Sequence, residues 1–320
     1  MNSLLRFIFI SLLFSSFAHA QTYPSRSVRI IVGFTPGGVT DVTARIVAQK
    51  LTEMWGQNVV VENRPGASGI IGAEATAKAA PDGYTLLISP QTSTSVATTL
   101  YPKLPYDVLK DFAIITVVGS SPQLLVLHPS LPPKTFREFM SFAKANYKTL
   151  SFGSGGLGST PHLGGELLNL SLDTRMVHVP YKGESTALAD VLGGQLPFML
   201  SSLPASLPQA KAGKLRALAI TSLQRSPNAP EYATIAESGI PGFETATWVG
   251  LYAPSGLSKE MVARLNGDIV KLLNQPDVKQ RLAQQGIDGV GNSPEAALAY
   301  VKSETVKWAK VIKAANVHVD

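Results

Sequence analysis

The chain has no cysteine among its 320 residues. This excludes disulfide bonds, thiolate metal ligands and a lipid attached to an N-terminal cysteine. Charged residues are also scarce, at 16% of the chain. The formal net charge is +6, but the lysines and arginines do not cluster with aromatic residues as they do on nucleic-acid-binding surfaces. We therefore expect no nucleic-acid partner.

Long apolar runs are missing beyond the first residues. A helix that spans a membrane needs roughly 20 apolar residues, and the run over residues 7–17 is shorter than that. It follows Arg6 and precedes Ala18-His19-Ala20. A positive residue, a short apolar run and a small-x-small site are typical of a secretory signal peptide. We predict a signal peptide over residues 1–20, a mature chain that starts near Gln21, and a location in the periplasm. An uncleaved N-terminal anchor is the alternative.

The mature chain of ~300 residues exceeds one comfortable hydrophobic core, which favours two lobes. Short apolar stretches alternate with helical periodicity in two successive runs. The first run has predicted strands 28–34, 59–61 and 84–89 and predicted helices 40–54 and 70–80. The second run has predicted strands 149–152, 176–179 and 195–200 and predicted helices 160–170 and 185–192. Each run is a βαβαβ unit, so the fold class is α/β with parallel strands in both lobes.

The segments that join the two runs contain no low-complexity linker. Predicted strands 112–118 and 123–127 lead out of the first lobe, and strand 248–252 leads back. Helices 259–273 and 294–315 are predicted to follow. These connections indicate a hinge of short strands beside a cleft that closes.

Ligands of open α/β sheets bind at the carboxyl ends of strands, where the first candidate loop, residues 34–41 (FTPGGVTD), lies. Gly37 and Gly38 let backbone N–H groups approach a ligand without interference from a Cβ atom. Thr40 is a predicted N-cap, and free N–H groups at a helix start suit an anion. Asp41 would repel an anion, so we assign it a structural role. A tight turn without a ligand remains the alternative.

The second candidate loop, residues 152–162 (FGSGGLGSTPH), offers neutral donors at another helix start. Its Gly-x-Gly-x-x-Gly pattern also occurs in dinucleotide sites, but those need an acidic residue after the next strand. Here that strand ends in Val179-Pro180-Tyr181-Lys182, so we expect no nucleotide cofactor. His162 is expected to cap or support the loop. A third loop, residues 89–95, is rich in polar side chains, and an ordinary solvated loop would look the same.

Catalytic and metal-binding patterns are weak. The glycine-rich loop contains no Gly-x-Ser-x-Gly motif, and no two histidines have the helical spacing of metal ligands. We therefore expect no catalytic residue, no metal and no cofactor. A periplasmic hydrolase and a sensing module that signals through another protein remain the alternative functions.

Many short motifs recur in a fixed order along the whole mature chain, and they identify a family. They are Tyr23-Pro24, residues 34–41 with Ala44-Arg45, Glu62-Asn63-Arg64-Pro65-Gly66-Ala67, Pro81-Asp82-Gly83-Tyr84-Thr85-Leu86, Leu104-Pro105-Tyr106-Asp107, Gly158-Ser159 with His162-Leu163, residues 178–183 (HVPYKG), Gly193-Gly194 and Pro241-Gly242-Phe243. With these motifs the chain resembles the Bug family of tripartite tricarboxylate transporter receptors. Val39 departs from that family's usual third glycine, which leaves the ligand open.

The resemblance implies a type II periplasmic-binding-protein fold with two lobes and a hinged cleft. Lobe one would comprise residues 21–120 and 245–320, with the C-terminal helices returning to it, and lobe two residues 121–244. It also implies a small carboxylate ligand, a mono- or dicarboxylate, amino acid or aromatic acid, held by backbone amides, hydroxyls and waters. We expect membrane permease subunits as partners, and a monomer. The loops and the resemblance together give the candidate ligand-binding residues Phe34, Thr35, Gly37, Gly38, Gln91, Ser154, Gly156, Ser159, Thr160, His162 and Asp190.

Overall fold

The computed structural model describes residues 23–318. The predicted signal peptide and the start of the mature chain at Gln21 lie outside these residues. None of the helices within residues 23–318 has the length and apolar character that crossing a membrane requires.

The first βαβαβ unit forms as predicted. Its strands are β1 (Val28–Val32), β2 (Val59–Asn63) and β3 (Thr85–Pro90), and its helices are α1 (Val39–Trp55), α2 (Ile70–Ala77) and the short α3 (Ala97–Leu100). Strand β1 pairs in parallel with both β2 and β3. The carboxyl ends of β1 and β3 therefore lie side by side at one edge of the sheet, where the first and third candidate loops begin.

Strand β4 (Phe112–Leu127) is one continuous strand of 16 residues, so the prediction of two separate strands was wrong. Gly119, Ser120 and Ser121 interrupt the apolar pattern, yet this stretch pairs antiparallel with β9 (Ala246–Pro254) as far as Pro122. From Gln123 onward, β4 pairs instead with β7 (Phe198–Ser202) and β8 (Arg216–Ile220). Strand β4 thus joins the sheet that contains β3 and β9 to the sheet that contains β5 and β7.

The second βαβαβ unit also forms as predicted. It contains β5 (Ser151–Ser154), α5 (Thr160–Leu172), β6 (Val177–Pro180) and α6 (Glu184–Leu192), and it ends in β7. Strand β5 pairs in parallel with β6 and with β7. Helices α4 (Phe136–Asn146) and α7 (Leu203–Lys211) flank this unit.

The C-terminal segment returns to the first sheet, as the family resemblance implies. It contains α8 (Lys259–Leu273), α9 (Pro276–Gln284), the two-residue strand β10 (Asp288–Gly289) and α10 (Pro294–Ala314). Helices α8 and α9 share one hydrophobic core with β1, α1 and β9. Helix α10 packs against both α3 and α5, because Trp308 and Val311 lie in one cluster with Leu100 of α3 and Leu163 of α5. The last helix therefore contacts elements from both βαβαβ units.

Candidate functional site

A cavity of about 410 Å³ lies where the two βαβαβ units face each other. This volume falls within the range of pockets that hold small molecules. Its lining comes from both units and from strand β9. The lining residues are Phe34, Thr35, Gly38, Val39, Thr40, Ser68, Pro90, Thr92, Gly155, Leu157, Ser159, Thr160, Pro161, Glu184 and Thr247.

Three helices, α1, α5 and α6, begin at this cavity, and none of them has a side-chain N-cap. Their N-cap residues are Gly38, Ser159 and Gly183. The first N–H groups of a helix have no acceptor within the helix, and they carry the positive end of its dipole. Elsewhere, α4, α8 and α10 have side-chain caps, whereas α2, α3, α7 and α9 have none. What sets α1, α5 and α6 apart is that their uncapped starts meet at one cavity, where they leave donors for an anion.

The buried carboxylate of Asp41 holds the first loop in place through hydrogen bonds. Asp41 is buried, and its Oδ2 accepts hydrogen bonds from the Gly37 N–H (2.9 Å) and from Arg45 Nε (2.9 Å). Its Oδ1 accepts one from Asn63 Nδ2 (2.8 Å). Burial raises the pKa of the Asp41 carboxyl, but the hydrogen bonds from Arg45, Asn63 and Gly37 outweigh burial and lower that pKa. Asp41 is structural, as predicted.

The predicted N-cap of α1 was wrong by two residues. The helix begins at Val39, so Gly38 occupies the N-cap position and Thr40 lies inside the helix, where it lines the cavity. The error follows from the preference of threonine for N-caps. In this loop the Asp41 carboxylate already accepts a hydrogen bond from the Gly37 N–H. The helix therefore begins at Val39, before Thr40, and has no side-chain cap.

The second loop is held mainly by its own hydrogen bonds. The Gly156 N–H donates to Ser154 Oγ (3.1 Å), and Ser159 Oγ donates to the Gly156 carbonyl (2.7 Å). Ser154 is fully buried, and its Oγ lies 2.6 Å from His178 Nε2. Ser154 and Gly156 thus maintain the shape of the loop, whereas Gly155 and Leu157 reach the cavity.

The stacked imidazole rings of His162 and His178 hold the second loop through hydrogen bonds to Gly158 and Ser154. The rings of His162 and His178 lie with centroids 3.7 Å apart and an interplanar angle of 13°. His162 Nδ1 accepts a hydrogen bond from the Gly158 N–H (3.0 Å). Burial lowers the pKa of His162 to about 4, and burial together with the charge of His162 lowers the pKa of His178 to about 3. Both rings are therefore neutral at pH 7.

These neutral histidines make stability depend on pH. An unfolded chain protonates His162 near its ordinary pKa of 6.5, but the folded protein does so only near pH 4, so stability is lost as the pH falls through this window. Between pH 7 and pH 5 we expect His162 to account for a loss of about 2 kcal/mol in the free energy of unfolding. Urea unfolding of the wild type and of His162→Gln at pH 7 and pH 5 measures this loss in the free energy of unfolding.

The matched control is His128→Gln, because His128 lies outside this stack and bonds to the exposed Ser130. It should keep the wild-type difference between pH 7 and pH 5, while His162→Gln should show a clearly smaller one. An equal pH dependence in all three proteins would contradict the assignment.

Two other candidate residues bond to protein partners. Gln91 is 1% exposed, and its Nε2 donates to the Ala246 carbonyl (2.6 Å) and to Thr160 Oγ1 (3.2 Å). Its Oε1 accepts from the Trp248 N–H (2.9 Å). Asp190 Oδ2 accepts a hydrogen bond from the Tyr181 hydroxyl (2.6 Å). Gln91 therefore connects β3 to β9 and α5, and Asp190 fixes the residues that follow β6.

The cavity brings together some of the candidate residues. Those in its lining are Phe34, Thr35, Gly38, Ser159 and Thr160. Those behind the lining or away from it are Gly37, Gln91, Ser154, Gly156, His162 and Asp190. Ligand contact by any member of either set stays a prediction.

Sequence reasoning missed several lining residues, among them Ser68, Glu184 and Thr247. Glu184 comes just after the end of β6, so the rule that ligands bind beyond the carboxyl ends of strands could have identified it. Ser68 and Thr247 reach the cavity only through tertiary structure and carry no local signal.

Charge in the lining is sparse and negative. Among the described residues, Glu184 is the one charged side chain of the cavity wall. Lys182 is exposed and lies outside the lining. Within residues 23–318, no three acidic or histidine side chains are placed to hold a metal ion. Any anion in this cavity would therefore rely on backbone amides and hydroxyl groups.

Comparison with known proteins identifies close relatives. A family model described as the tripartite tricarboxylate transporter family receptor matches residues 43–317. Protein BugT of Bordetella pertussis is 39% identical over 295 residues, which cover 92% of this chain and 90% of BugT. Rpa4515 of R. palustris, solved with adipate, is 37% identical with a TM-score of 0.79, over 92% of this chain and 99% of that one. MatC of Rhodopseudomonas palustris, solved with bound malate, is 33% identical with a TM-score of 0.75, over 91% and 100%.

Proposed function

Because the chain belongs to the Bug family of tripartite tricarboxylate transporter receptors, we propose that it captures a small carboxylate and delivers it to membrane permease subunits. The observation that carries this proposal is the convergence of three helices without side-chain caps on one cavity. Such helix starts offer N–H donors and a favourable dipole to an anion. The relatives solved with adipate and with malate both carry carboxylate ligands, which supports the same ligand class here.

The free energy available from such a site suits a receptor. Hydrogen bonds to a charged group contribute roughly 1.5–3 kcal/mol each. A few of them, offset by the cost of ordering ligand and protein, can reach micromolar affinity, which corresponds to about −8 kcal/mol. A salt bridge from a lysine or arginine is therefore not required.

Lobe one of the proposed receptor comprises residues 21–120 and 245–320, and lobe two residues 121–244. The change of pairing partner along β4, from β9 to β7 and β8, supports a boundary near Ser121. The proposed location is the periplasm, after removal of residues 1–20, and sequencing of the exported protein from its N-terminus would show this.

Binding without turnover is part of the proposal. A hydrolase would need a nucleophile and a base that face the ligand. Ser154 and His178 are 2.6 Å apart, but Ser154 is fully buried and neither residue lines the cavity. This pair therefore does not favour the hydrolase alternative.

Gly38→Val tests the site with little risk to the fold. Gly38 has φ −80° and ψ 169°, which valine adopts readily, and a Cβ atom there would meet no described heavy atom within 4 Å. Gly38 lines the cavity beside the donors of α1, so we expect a valine side chain there to raise the dissociation constant at least ~10-fold. Calorimetry with the bound acid measures this change.

Gly267→Val is the matched control, since a Cβ atom at Gly267 also meets no described heavy atom within 4 Å, but on α8 and away from the cavity. It should bind like the wild type. An unchanged dissociation constant in Gly38→Val would remove the start of α1 from the site.

A further inference from the structure

Glu184 is the first residue of α6 and the one charged residue among the described residues that line the cavity. Its Oε1 accepts hydrogen bonds from Ser201 Oγ (2.8 Å) and from the Ser202 N–H (2.6 Å). Its Oε2 accepts no hydrogen bond from any residue in the range 23–318. Oε1 thus bonds to the end of β7, whereas Oε2 is left to accept a hydrogen bond from a ligand.

An available carboxylate oxygen in a cavity wall has a definite chemical preference. A second carboxylate placed against it is repelled, and the repulsion grows where water is excluded. A hydroxyl or ammonium group placed against it donates a charge-assisted hydrogen bond, which is stronger than a neutral one. The starts of α1 and α5 have the opposite preference, because they present donors. The cavity therefore contains donor positions and one strong acceptor.

We propose that Glu184 selects carboxylate ligands that carry a hydrogen-bond donor, a hydroxyl or an ammonium group, away from the carboxylate. The ligand's carboxylate binds at the starts of α1 and α5, and its donor group binds Glu184 Oε2. Plain dicarboxylates are disfavoured. Phe34, Val39 and Leu157 give the wall an apolar part, which suits the carbon chain between the two groups. This inference rests on the proposed function and narrows its ligand class.

Three acids with six carbons each test whether Glu184 prefers a donor group to a second carboxylate. They are adipate, 6-hydroxyhexanoate and 6-aminohexanoate. The wild type should bind at least one of the two donor-bearing acids at least ~10-fold more tightly than adipate, as measured by calorimetry. In Glu184→Gln this preference should fall by at least ~10-fold, and adipate should bind more tightly than it does to the wild type. The glutamine retains an oxygen at the Oε1 position for Ser201 and Ser202, so the fold should persist.

Glu231→Gln is the control, because Glu231 is an exposed carboxylate that pairs with Lys211 away from the cavity. It should keep the wild-type preference. If the wild type binds adipate at least as tightly as both other acids, or if Glu184→Gln keeps the wild-type preference, the inference is overturned while the receptor function stands. If none of the three acids binds the wild type, the result counts against the inference and the proposed function alike.

Discussion

Replacing Glu304 by leucine should lower the free energy of unfolding by roughly 3–5 kcal/mol, the cost of breaking a buried polar network by removing one member. Glu304 lies on α10 and is 3% exposed. Its Oε2 accepts hydrogen bonds from the indole Nε1 of Trp248 and of Trp308, both at 2.9 Å. Lys307 pairs with its other oxygen. Leucine would leave two fully buried indole N–H groups without an acceptor and an ammonium group without its partner.

This network matters because it connects α10 to β9, the strand of the first sheet that pairs with both β3 and β4. Trp248 lies in β9, and its backbone N–H donates to Gln91. Trp308 lies in the cluster that contacts both α3 and α5. A loss of roughly 3–5 kcal/mol is a large part of the 5–15 kcal/mol that typically stabilises a protein.

Urea unfolding measures the effect, and two variants of the same helix control it. Glu304→Gln keeps one oxygen to accept from the indoles and should cost less, about 1–2 kcal/mol. Lys302→Leu changes an exposed residue without an ion pair among the described residues and should stay within about 0.5 kcal/mol of the wild type. A Glu304→Leu variant as stable as Lys302→Leu would show that the network does not hold α10 in place.

Replacing the ligand's carboxylate by its primary amide should weaken binding at least ~100-fold, or about 2.7 kcal/mol. The amide loses the negative charge that the starts of α1 and α5 favour, and its NH₂ group places hydrogen-bond donors against the N–H donors of these helices. Lys182→Gln should change the affinity for the acid by less than ~3-fold, because Lys182 is exposed and outside the cavity lining. The double variant Ser159→Ala/Thr160→Val, which removes two hydroxyls from the lining, should weaken binding of the acid more than Lys182→Gln does. Competition calorimetry with acid and amide measures these differences.

The opposite pattern would require a different mechanism. If Lys182→Gln abolished binding and the double hydroxyl variant did not, recognition would depend on a salt bridge. If the amide bound as tightly as the acid, the helix starts would not be recognising charge.

Much of the fold could be predicted because its signals are local. Helix α1 was predicted over residues 40–54 and spans Val39–Trp55, since its apolar residues recur at helical spacing. Helix α7 was missed because Pro204 and Pro208 usually end or break helices, yet both lie within it. Strand β4 was predicted in two parts because its continuity comes from pairing with β9, more than 100 residues later in the chain.

The site could be predicted only in part, for a related reason. The glycine-rich loops show that backbone donors are accessible, and Phe34, Gly38 and Ser159 do line the cavity. A sequence does not show whether a polar side chain points at a ligand or at another part of the protein. Gln91 and His162 were predicted to bind the ligand. In the structure Gln91 bonds to the backbone of Ala246 and Trp248, and His162 Nδ1 accepts from the Gly158 N–H. Ligand contact by either residue stays a prediction. Glu184 enters the site through the packing of α6.

Mass spectrometry of the small molecule that the native protein carries tests the central claim most directly. The protein would be purified from the periplasmic fraction without denaturation, weighed with its ligand attached, and then unfolded to release it. We predict one small molecule per chain, and that molecule contains a carboxylate. A released ligand without a carboxylate, or with a phosphate as its acidic group, would contradict the proposal that this receptor captures carboxylates.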